Sequence, residues 1–417
     1  MSLALISLFI ILLLFAFFLL GLGIGISMAL AGFIGFAIIV NLQAAFSLVA
    51  NDTYTIFSSY GFTVIPLFVL MGQIGVGAGM AKSLYDSAYK FIGHVSGGLA
   101  IGTVMAGTAF KAICGSTTAT TATFASIAVP EMDRYNYDKR LSTGTVATVG
   151  TLGAVFPPSV TLVIYGLLMM IAFSFAVTLF GWCKINPKLG PKGERSTWAA
   201  RVKSLLPVLW VVAIFLLVVG GLMMGFFTPT EAGSIGTLAV LILAIVKRDI
   251  TFRRFIASVK DSLVIACMVF VLLAGATILG HFFAVTKMPT IVGEWLANLP
   301  VHRTVIMIII IFVYLIGGSF IEDLAFLILI TPIFLPIILK LGYDPVWFGI
   351  IVSVTCMIGI IIPPMAVNVF VVSGITKVPI STIYKGCYPY IVGMSICLLI
   401  LLFFPHIVLW LPHLLMK

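Results

Sequence analysis

The feature that most constrains this chain is a series of apolar runs, each long enough to cross a lipid bilayer. Leu3–Leu20, Leu205–Met224 and Val392–Trp410 are examples, each near the ~20 residues that a transmembrane α-helix needs. Only 9% of the residues are charged and 62% are apolar. Because a soluble domain needs more charge to cover its surface, the sequence predicts an all-α polytopic membrane protein, with a single integral membrane domain over residues 1–417.

The positive charge of the chain lies mostly in short loops between the apolar runs. The net charge is +10, and residues 184–203 and 247–260 are strongly basic segments. The positive-inside rule places both in the cytoplasm, so we expect 184–260 to hold cytoplasmic loops and two scaffold helices. Such loops orient a protein against an anionic lipid bilayer and do not indicate a nucleic-acid partner.

An internal repeat is visible at a constant offset. Ala119 and Ala325 lie 206 positions apart, and the same offset relates further pairs without a gap. These pairs are Ile127 and Ile333, Pro130 and Pro336, Tyr137-Asp138 and Tyr343-Asp344, Gly153 and Gly359, and Pro157-Pro158 and Pro363-Pro364. By the parity of the basic loops, the two Tyr-Asp pairs face opposite sides. The sequence therefore predicts inverted repeats, which are typical of secondary transporters.

Each copy begins with two short apolar segments around a polar tip. We predict a re-entrant helical hairpin in each, within a first repeat core at 97–183 and a second at 304–388. The first tip is rich in hydroxyls, with six Ser or Thr residues between 116 and 123. Such hydroxyls can bond to their own helix backbone, but their recurrence beside a second unusual feature favours a binding site.

That second feature is Gly-x-x-x-Pro-Pro within an apolar run, at Gly153–Pro158 and Gly359–Pro364. Adjacent prolines remove two amide donors and clash with the preceding turn, so both helices should break there. Carbonyls released by the break can coordinate a dehydrated cation, and the amides that begin the next half-helix suit an anion.

The candidate site residues follow from these two features. Few acidic side chains lie at membrane depth, which favours sodium over protons as the coupling ion, and no transition metal is expected. The predicted sodium-binding residues of the first repeat are Gly115, Ser116, Thr118, Gly153, Phe156 and Pro157. Those of the second repeat are Gly318, Asp323, Gly359, Ile362 and Pro363. The predicted substrate-binding residues are Thr117, Ser159 and Asn368.

Other functions remain open at this level. A channel would need a continuous polar pore, and an intramembrane enzyme would need a better dyad than the adjacent pair Glu322-Asp323, whose side chains diverge by about 100° on a helix. We therefore predict no enzyme. A proton-coupled carrier that works without a binding protein also remains an alternative. Glu231 is interpreted as a helix cap, and no Lys or Arg is identified at the tips as a partner for a substrate carboxylate.

These motifs resemble the large membrane subunit of TRAP (tripartite ATP-independent periplasmic) transporters. The resembling segments are Gly115–Ala119, Val129–Met132, Tyr137–Arg140, Gly153–Pro158, Ile164–Gly166, Phe227–Ala232, Thr331–Pro336 and Val371–Gly374. The resemblance implies an elevator-type carrier of the ion transporter superfamily in the bacterial inner membrane, driven by a sodium gradient. It also implies a small four-helix membrane subunit, a periplasmic substrate-binding protein, and an organic anion such as a C4-dicarboxylate or a sialic acid.

Two departures from that family accompany the resemblance. The first tip reads Ser116-Thr117-Thr118 where the family more often has two serines. The second repeat continues through a polar connector, Ile375–Tyr388, whereas the first repeat runs from Gly166 directly into the next apolar segment.

Overall fold

The computed structural model describes residues 3–114, 117–152, 161–193, 195–288, 291, 302–320, 323–363 and 366–407, and their regular secondary structure is helical throughout. The first helices are α1 Leu3–Leu19, α2 Ile24–Ile39, α3 Leu42–Ser58, α4 Val64–Gly77, α5 Met80–Ile92, α6 Gly98–Cys114, α7 Thr117–Arg134, α8 Lys139–Val149 and α9 Thr161–Ile185. The later helices are α10 Trp198–Phe215, α11 Gly221–Met223, α12 Pro229–Val246, α13 Phe252–Val285, α14 Arg303–Phe320, α15 Asp323–Lys340, α16 Pro345–Gly359, α17 Val367–Thr376 and α18 Ile380–Phe403. The all-α prediction is confirmed.

Several of these helices are long and apolar enough to cross a bilayer. Within the described ranges, five meet both criteria: Tyr60–Gly77, Trp198–Gly220, Pro229–Val246, Phe252–Val285 and Ile380–Phe403. Shorter apolar helices accompany them, including Arg303–Ser319 and Phe326–Lys340 of the second predicted hairpin. The helices thus carry the hydropathy that a polytopic membrane protein requires.

Helix boundaries recur at the offset found in the sequence. The helix α7 begins at Thr117 and ends at Arg134, and α15 begins at Asp323 and ends at Lys340, each 206 residues later. The starts of α8 and α16 differ by the same offset, as do those of α9 and α17. Equivalent sequence positions therefore begin equivalent helices.

The repeated Tyr-Asp pair has a clear local role. Asp138 accepts a hydrogen bond from the Arg140 amide at 2.7 Å, and Asp344 accepts from the Val346 amide at 2.7 Å. Each carboxylate satisfies amides in the first turn of the helix that leads to the Pro-Pro motif. Burial raises the pKa of Tyr137 to about 12, so this hydroxyl stays neutral at physiological pH.

The chain forms two compact units. The first comprises Met1–Thr63, Leu263–Tyr314 and Leu324–Gly349, and the second comprises Val64–Ser262, Leu315–Asp323 and Ile350–Lys417. In the first unit, α2 packs closely against α13: a Cβ added at Gly32 would lie 2.7 Å from the Leu279 Cα. Only a residue without a side chain permits this backbone approach, a device common between transmembrane helices.

In the second unit, small residues again bring helices together around the repeat elements. Gly144 of α8 meets Gly386 of α18 backbone to backbone. The next residue of α8, Thr145, shares a hydrogen bond with the hydroxyl of Tyr390, which lies one turn after Gly386 on α18. This contact fixes α8, whose C-terminal end forms part of the candidate site.

Three details differ from the sequence-based expectation. The second tip was predicted at Gly317–Asp323. It is shorter in the structure, because α14 continues to Phe320 and α15 begins at Asp323. The first broken helix ends at Val149, four residues before Gly153, whereas α16 ends at Gly359 as predicted. The predicted connector Ile375–Tyr388 is reduced to Lys377–Pro379, with φ +59° at Lys377, because its first two residues end α17 and Ile380–Tyr388 begin α18.

Candidate functional site

The structure brings two predicted residues of the second repeat into contact. A Cβ added at Gly359 would lie 2.8 Å from the carbonyl carbon of Gly318, and 3.1 Å from the Leu315 carbonyl oxygen. The end of α16 therefore rests directly on the backbone of α14 near the second tip. Ile362 and Pro363 follow in the irregular segment after α16.

The remaining predicted residues are placed only in part. Thr118 and Asp323 lie in the first turns of α7 and α15, but their side chains are outside the described part of the chain. The other predicted ion and substrate residues of the first repeat that fall outside the described residues are Gly115, Ser116, Gly153, Phe156, Pro157 and Ser159. Their roles stay predictions.

At the first repeat, a buried basic residue occupies the tip region. Lys111, in the last turn of α6, is 2% exposed. Its Nζ donates to the Thr117 hydroxyl at 2.9 Å and to the Gly150 carbonyl at 3.4 Å. No Lys or Arg was identified at the tips from the sequence, so this residue was missed. A single lysine inside an apolar helix gives no spacing signal, and its partners lie six and 39 positions away.

Gly150 is the junction of this region, immediately after the end of α8. A Cβ added there would collide with the Thr121 hydroxyl and would lie 3.1 Å from the amide nitrogen of Asn368. The missing side chain thus lets α7 and α17 close over the end of α8. We call Lys111, Thr117, Thr121, Gly150 and Asn368 the first-tip cluster.

Asn368 contributes a buried amide to the first-tip cluster. It is fully buried in the first turn of α17, and its Nδ2 donates to the Ala147 carbonyl at 3.1 Å. Its Oδ1 is buried without a hydrogen-bond partner among the described residues. Because a buried unsatisfied acceptor is costly, this oxygen is suited to a ligand that donates a proton or carries positive charge.

The hydroxyls of α7 do not all face the cluster. Thr121 donates to the Thr117 carbonyl at 2.9 Å, and Thr123 donates to the Ala119 carbonyl at 2.7 Å. These back-bonds satisfy the donors within the helix itself. The Thr117 oxygen, in contrast, accepts from Lys111. Some hydroxyls of this segment therefore bond only within α7, while that of Thr117 takes part in the first-tip cluster.

Glu231 has a structural role. Its carboxylate accepts from the Thr228 amide at 2.7 Å, and the Thr228 hydroxyl accepts from the Glu231 amide at 3.3 Å. This reciprocal pair is a capping box that begins α12 with Pro229 in its first turn. The interpretation of Glu231 as a cap is confirmed.

The first unit contains a pair of ionisable side chains that the sequence analysis did not predict. His281 of α13 places its Nε2 3.4 Å from a carboxylate oxygen of Asp52 in α3. The two residues are far apart in the sequence and each lies in an otherwise unremarkable segment, so no local pattern predicts their contact.

Comparison with known proteins agrees with this architecture. The chain matches the model of the family described as tripartite ATP-independent periplasmic transporter, DctM component, over residues 11–407. It is 30% identical to the C4-dicarboxylate TRAP transporter large permease protein DctM of Pseudomonas aeruginosa, over 85% of this chain and 86% of that protein. It is 28% identical to the sialic acid TRAP transporter large permease protein SiaM of Vibrio cholerae, over 91% and 95% respectively.

Two further similarities extend this comparison. The isethionate TRAP transporter permease protein DctMQ of Oleidesulfovibrio alaskensis is 32% identical over 90% of this chain, which spans 62% of that longer protein. The crystal structure of the YdaH transporter of Alcanivorax borkumensis aligns over 89% of each chain, with a TM-score of 0.52 and 14% identity. The structural alignment concerns the fold alone.

These relatives are transporter permeases rather than enzymes, and the family takes up solutes together with a binding protein. The apolar helices of this chain fit a multi-pass membrane protein of that kind. The chain belongs to the DctM component family and is a large membrane subunit of a TRAP transporter.

Proposed function

We propose that this subunit performs sodium-coupled secondary active uptake of an organic anion delivered by a periplasmic binding protein. The observation that carries the proposal is the first-tip cluster, where a hairpin, a helix end and a helix start meet around buried polar groups. Such a meeting of interrupted helices is where secondary transporters bind substrate and coupling ion.

The first-tip cluster offers groups that suit a carboxylate. The Thr117 oxygen accepts from Lys111, which leaves the hydroxyl proton to donate to a substrate oxygen. The start of α17, where Asn368 lies, favours negative charge through the helix dipole. The buried Asn368 Oδ1, which lacks a partner among the described residues, suits a hydroxyl donor of the same solute. The printed substrates of the relatives, a C4-dicarboxylate, a sialic acid and isethionate, support an anionic solute.

Sodium is proposed for the second repeat. The end of α16 at Gly359 contacts the backbone of α14 at Gly318. Asp323, five residues after Gly318, begins α15. Carbonyl and carboxylate oxygens are the ligands that hard cations prefer.

The mechanism proposed is of the elevator type, with the two repeats inverted across the bacterial inner membrane. A small four-helix membrane subunit completes the transporter.

The test is uptake into proteoliposomes that contain this chain, the small subunit and the binding protein. A labelled C4-dicarboxylate, sialic acid or isethionate is supplied singly, with an inward sodium gradient or with choline replacing sodium. We expect uptake only with both sodium and the binding protein. Currents far above carrier rates without sodium would indicate a channel, and uptake that follows a proton gradient without the binding protein would indicate a proton-coupled carrier.

A further inference from the structure

The first-tip cluster holds a cation that belongs to the protein itself. The Lys111 ammonium is buried, and it donates to the Thr117 hydroxyl and to the Gly150 carbonyl. A hydroxyl oxygen and a carbonyl at the C-terminal end of an interrupted helix are also the ligands that such helices offer to sodium. The ammonium therefore engages oxygens that a free cation at this tip would use.

The equivalent positions of the second repeat carry the opposite charge. At the offset of 206 residues, Gly317 stands in place of Lys111, and Asp323 stands in place of Thr117. One tip thus supplies its own positive charge, while Gly317–Asp323 carries two carboxylates, Glu322 and Asp323, and no basic residue in its sequence. A free cation is therefore favoured at the second tip and not at the first.

The packing of the two helix ends follows this difference. The second-repeat equivalent of Gly150 is Cys356, and a Cβ added at Gly318 would lie 3.4 Å from the Cys356 Cα. The backbone of α14 therefore approaches the end of α16 directly. In the first repeat, the lysine side chain makes the corresponding link between α6 and the end of α8.

Electrostatic repulsion makes the ammonium and a free ion alternatives. Two unit positive charges about 4 Å apart, at the effective dielectric of a protein site, weaken binding by roughly a thousandfold. A sodium ion sharing the oxygens of Lys111 would experience repulsion of this order. The Gly150 carbonyl at the end of α8 therefore binds either the Lys111 ammonium or a sodium ion, and not both.

We propose that Lys111 is the fixed cation of the first repeat, so that only the second repeat binds free sodium. This inference rests on the sodium coupling proposed above. It assigns the ammonium, and not a sodium ion, to the Thr117 hydroxyl and the Gly150 carbonyl of the first tip. Each transport cycle then carries one sodium ion fewer than two free sites would carry.

Equilibrium binding of radioactive sodium to the purified protein tests the inference. We expect one ion on the wild type, two on Lys111→Gly, which copies Gly317, and one on Lys111→Arg, which keeps the charge. Lys340→Gly removes an exposed lysine as a matched control and should leave one ion. Asp323→Asn should leave none.

The folded state of each variant is checked by size exclusion and thermal melting. Lys111→Ala opens the same space while keeping α6 a good helix, and it should also bind two ions. Two ions on the wild type, or an unchanged count on both folded Lys111 variants, would overturn the inference and leave sodium coupling standing. No ion on the wild type with one gained by Lys111→Gly would support Lys111 as the fixed cation, but it would overturn the sodium site of the second repeat and with it the proposed coupling.

Discussion

Where α6 meets the end of α8, a buried lysine joins the two helices, whereas α14 approaches the end of α16 directly through the backbone at Gly318. The helices around both tips begin at equivalent positions of the repeat. The two repeats therefore share their helix boundaries but differ in the charge at their tips. Equivalent geometry does not impose equivalent chemistry, because one side chain can exchange a mobile cation for a fixed one.

The largest effect is expected from removing the negative charge of the second tip. Asp323→Ala should reduce sodium-dependent uptake by about a hundredfold or more, since a carboxylate beside a cation contributes several kcal/mol at a partly buried site. Ser116→Ala, in the first tip, should also weaken uptake, but by less. Initial uptake rates at several sodium concentrations measure both, and Asp249→Ala is the exposed acidic control. Wild-type rates and sodium dependence in Asp323→Ala would contradict the sodium site at the second tip, and a lowered sodium affinity in Ser116→Ala would contradict the fixed cation at the first tip.

The next largest effect is expected on the stability of two glycine variants, one packed against backbone and one against a side chain. Gly359→Ala places a Cβ against the backbone of Gly318, so no neighbouring substitution should relieve it, and a cost of about 1–3 kcal/mol is typical of overpacking. Gly150→Ala instead strikes the Thr121 hydroxyl.

Thr121→Ala should therefore recover part of the stability lost in Gly150→Ala and none of that lost in Gly359→Ala. Thermal melting in detergent compares the two double variants with their parents. Equal recovery in both pairs would show that the two helix ends are packed alike.

A smaller effect is expected from Thr117→Val, which removes an acceptor of the buried ammonium. Leaving a charged donor less satisfied costs about 1–3 kcal/mol. Lys111→Met should abolish this cost, because the donor is then gone, and the double-mutant cycle should show coupling between the two positions. Additive changes in melting would mean that the hydrogen bond from Lys111 to Thr117 does not contribute to stability.

The smallest effect is expected from Thr123→Val. Its hydroxyl is bonded to the Ala119 carbonyl within α7, and the equivalent residue of the second repeat is Leu329. We expect a change in stability within ~0.5 kcal/mol and unaltered sodium dependence of uptake. A changed sodium requirement would extend the site along α7 beyond the first turn.

Local patterns in the sequence were sufficient for much of the architecture. Apolar run lengths predicted the helices, the offset pairs predicted where equivalent helices begin, and the Pro-Pro motif predicted the end of α16 at Gly359. Glu231 was correctly predicted as a helix cap, and its partner Thr228 is only three residues away. Each of these features depends on residues that are neighbours in sequence.

The partners of Lys111 and the pairing of His281 with Asp52 were decided only by the tertiary structure. A single charge in an apolar helix has no periodicity, and its meaning depends on which distant carbonyl or carboxylate it meets. The sequence alone determined that helices form and that α16 ends at its Pro-Pro motif, because hydropathy and proline act locally. Which tip carries a fixed cation was decided by packing, because only the close approach at Gly150 brings α6, α7, α8 and α17 together.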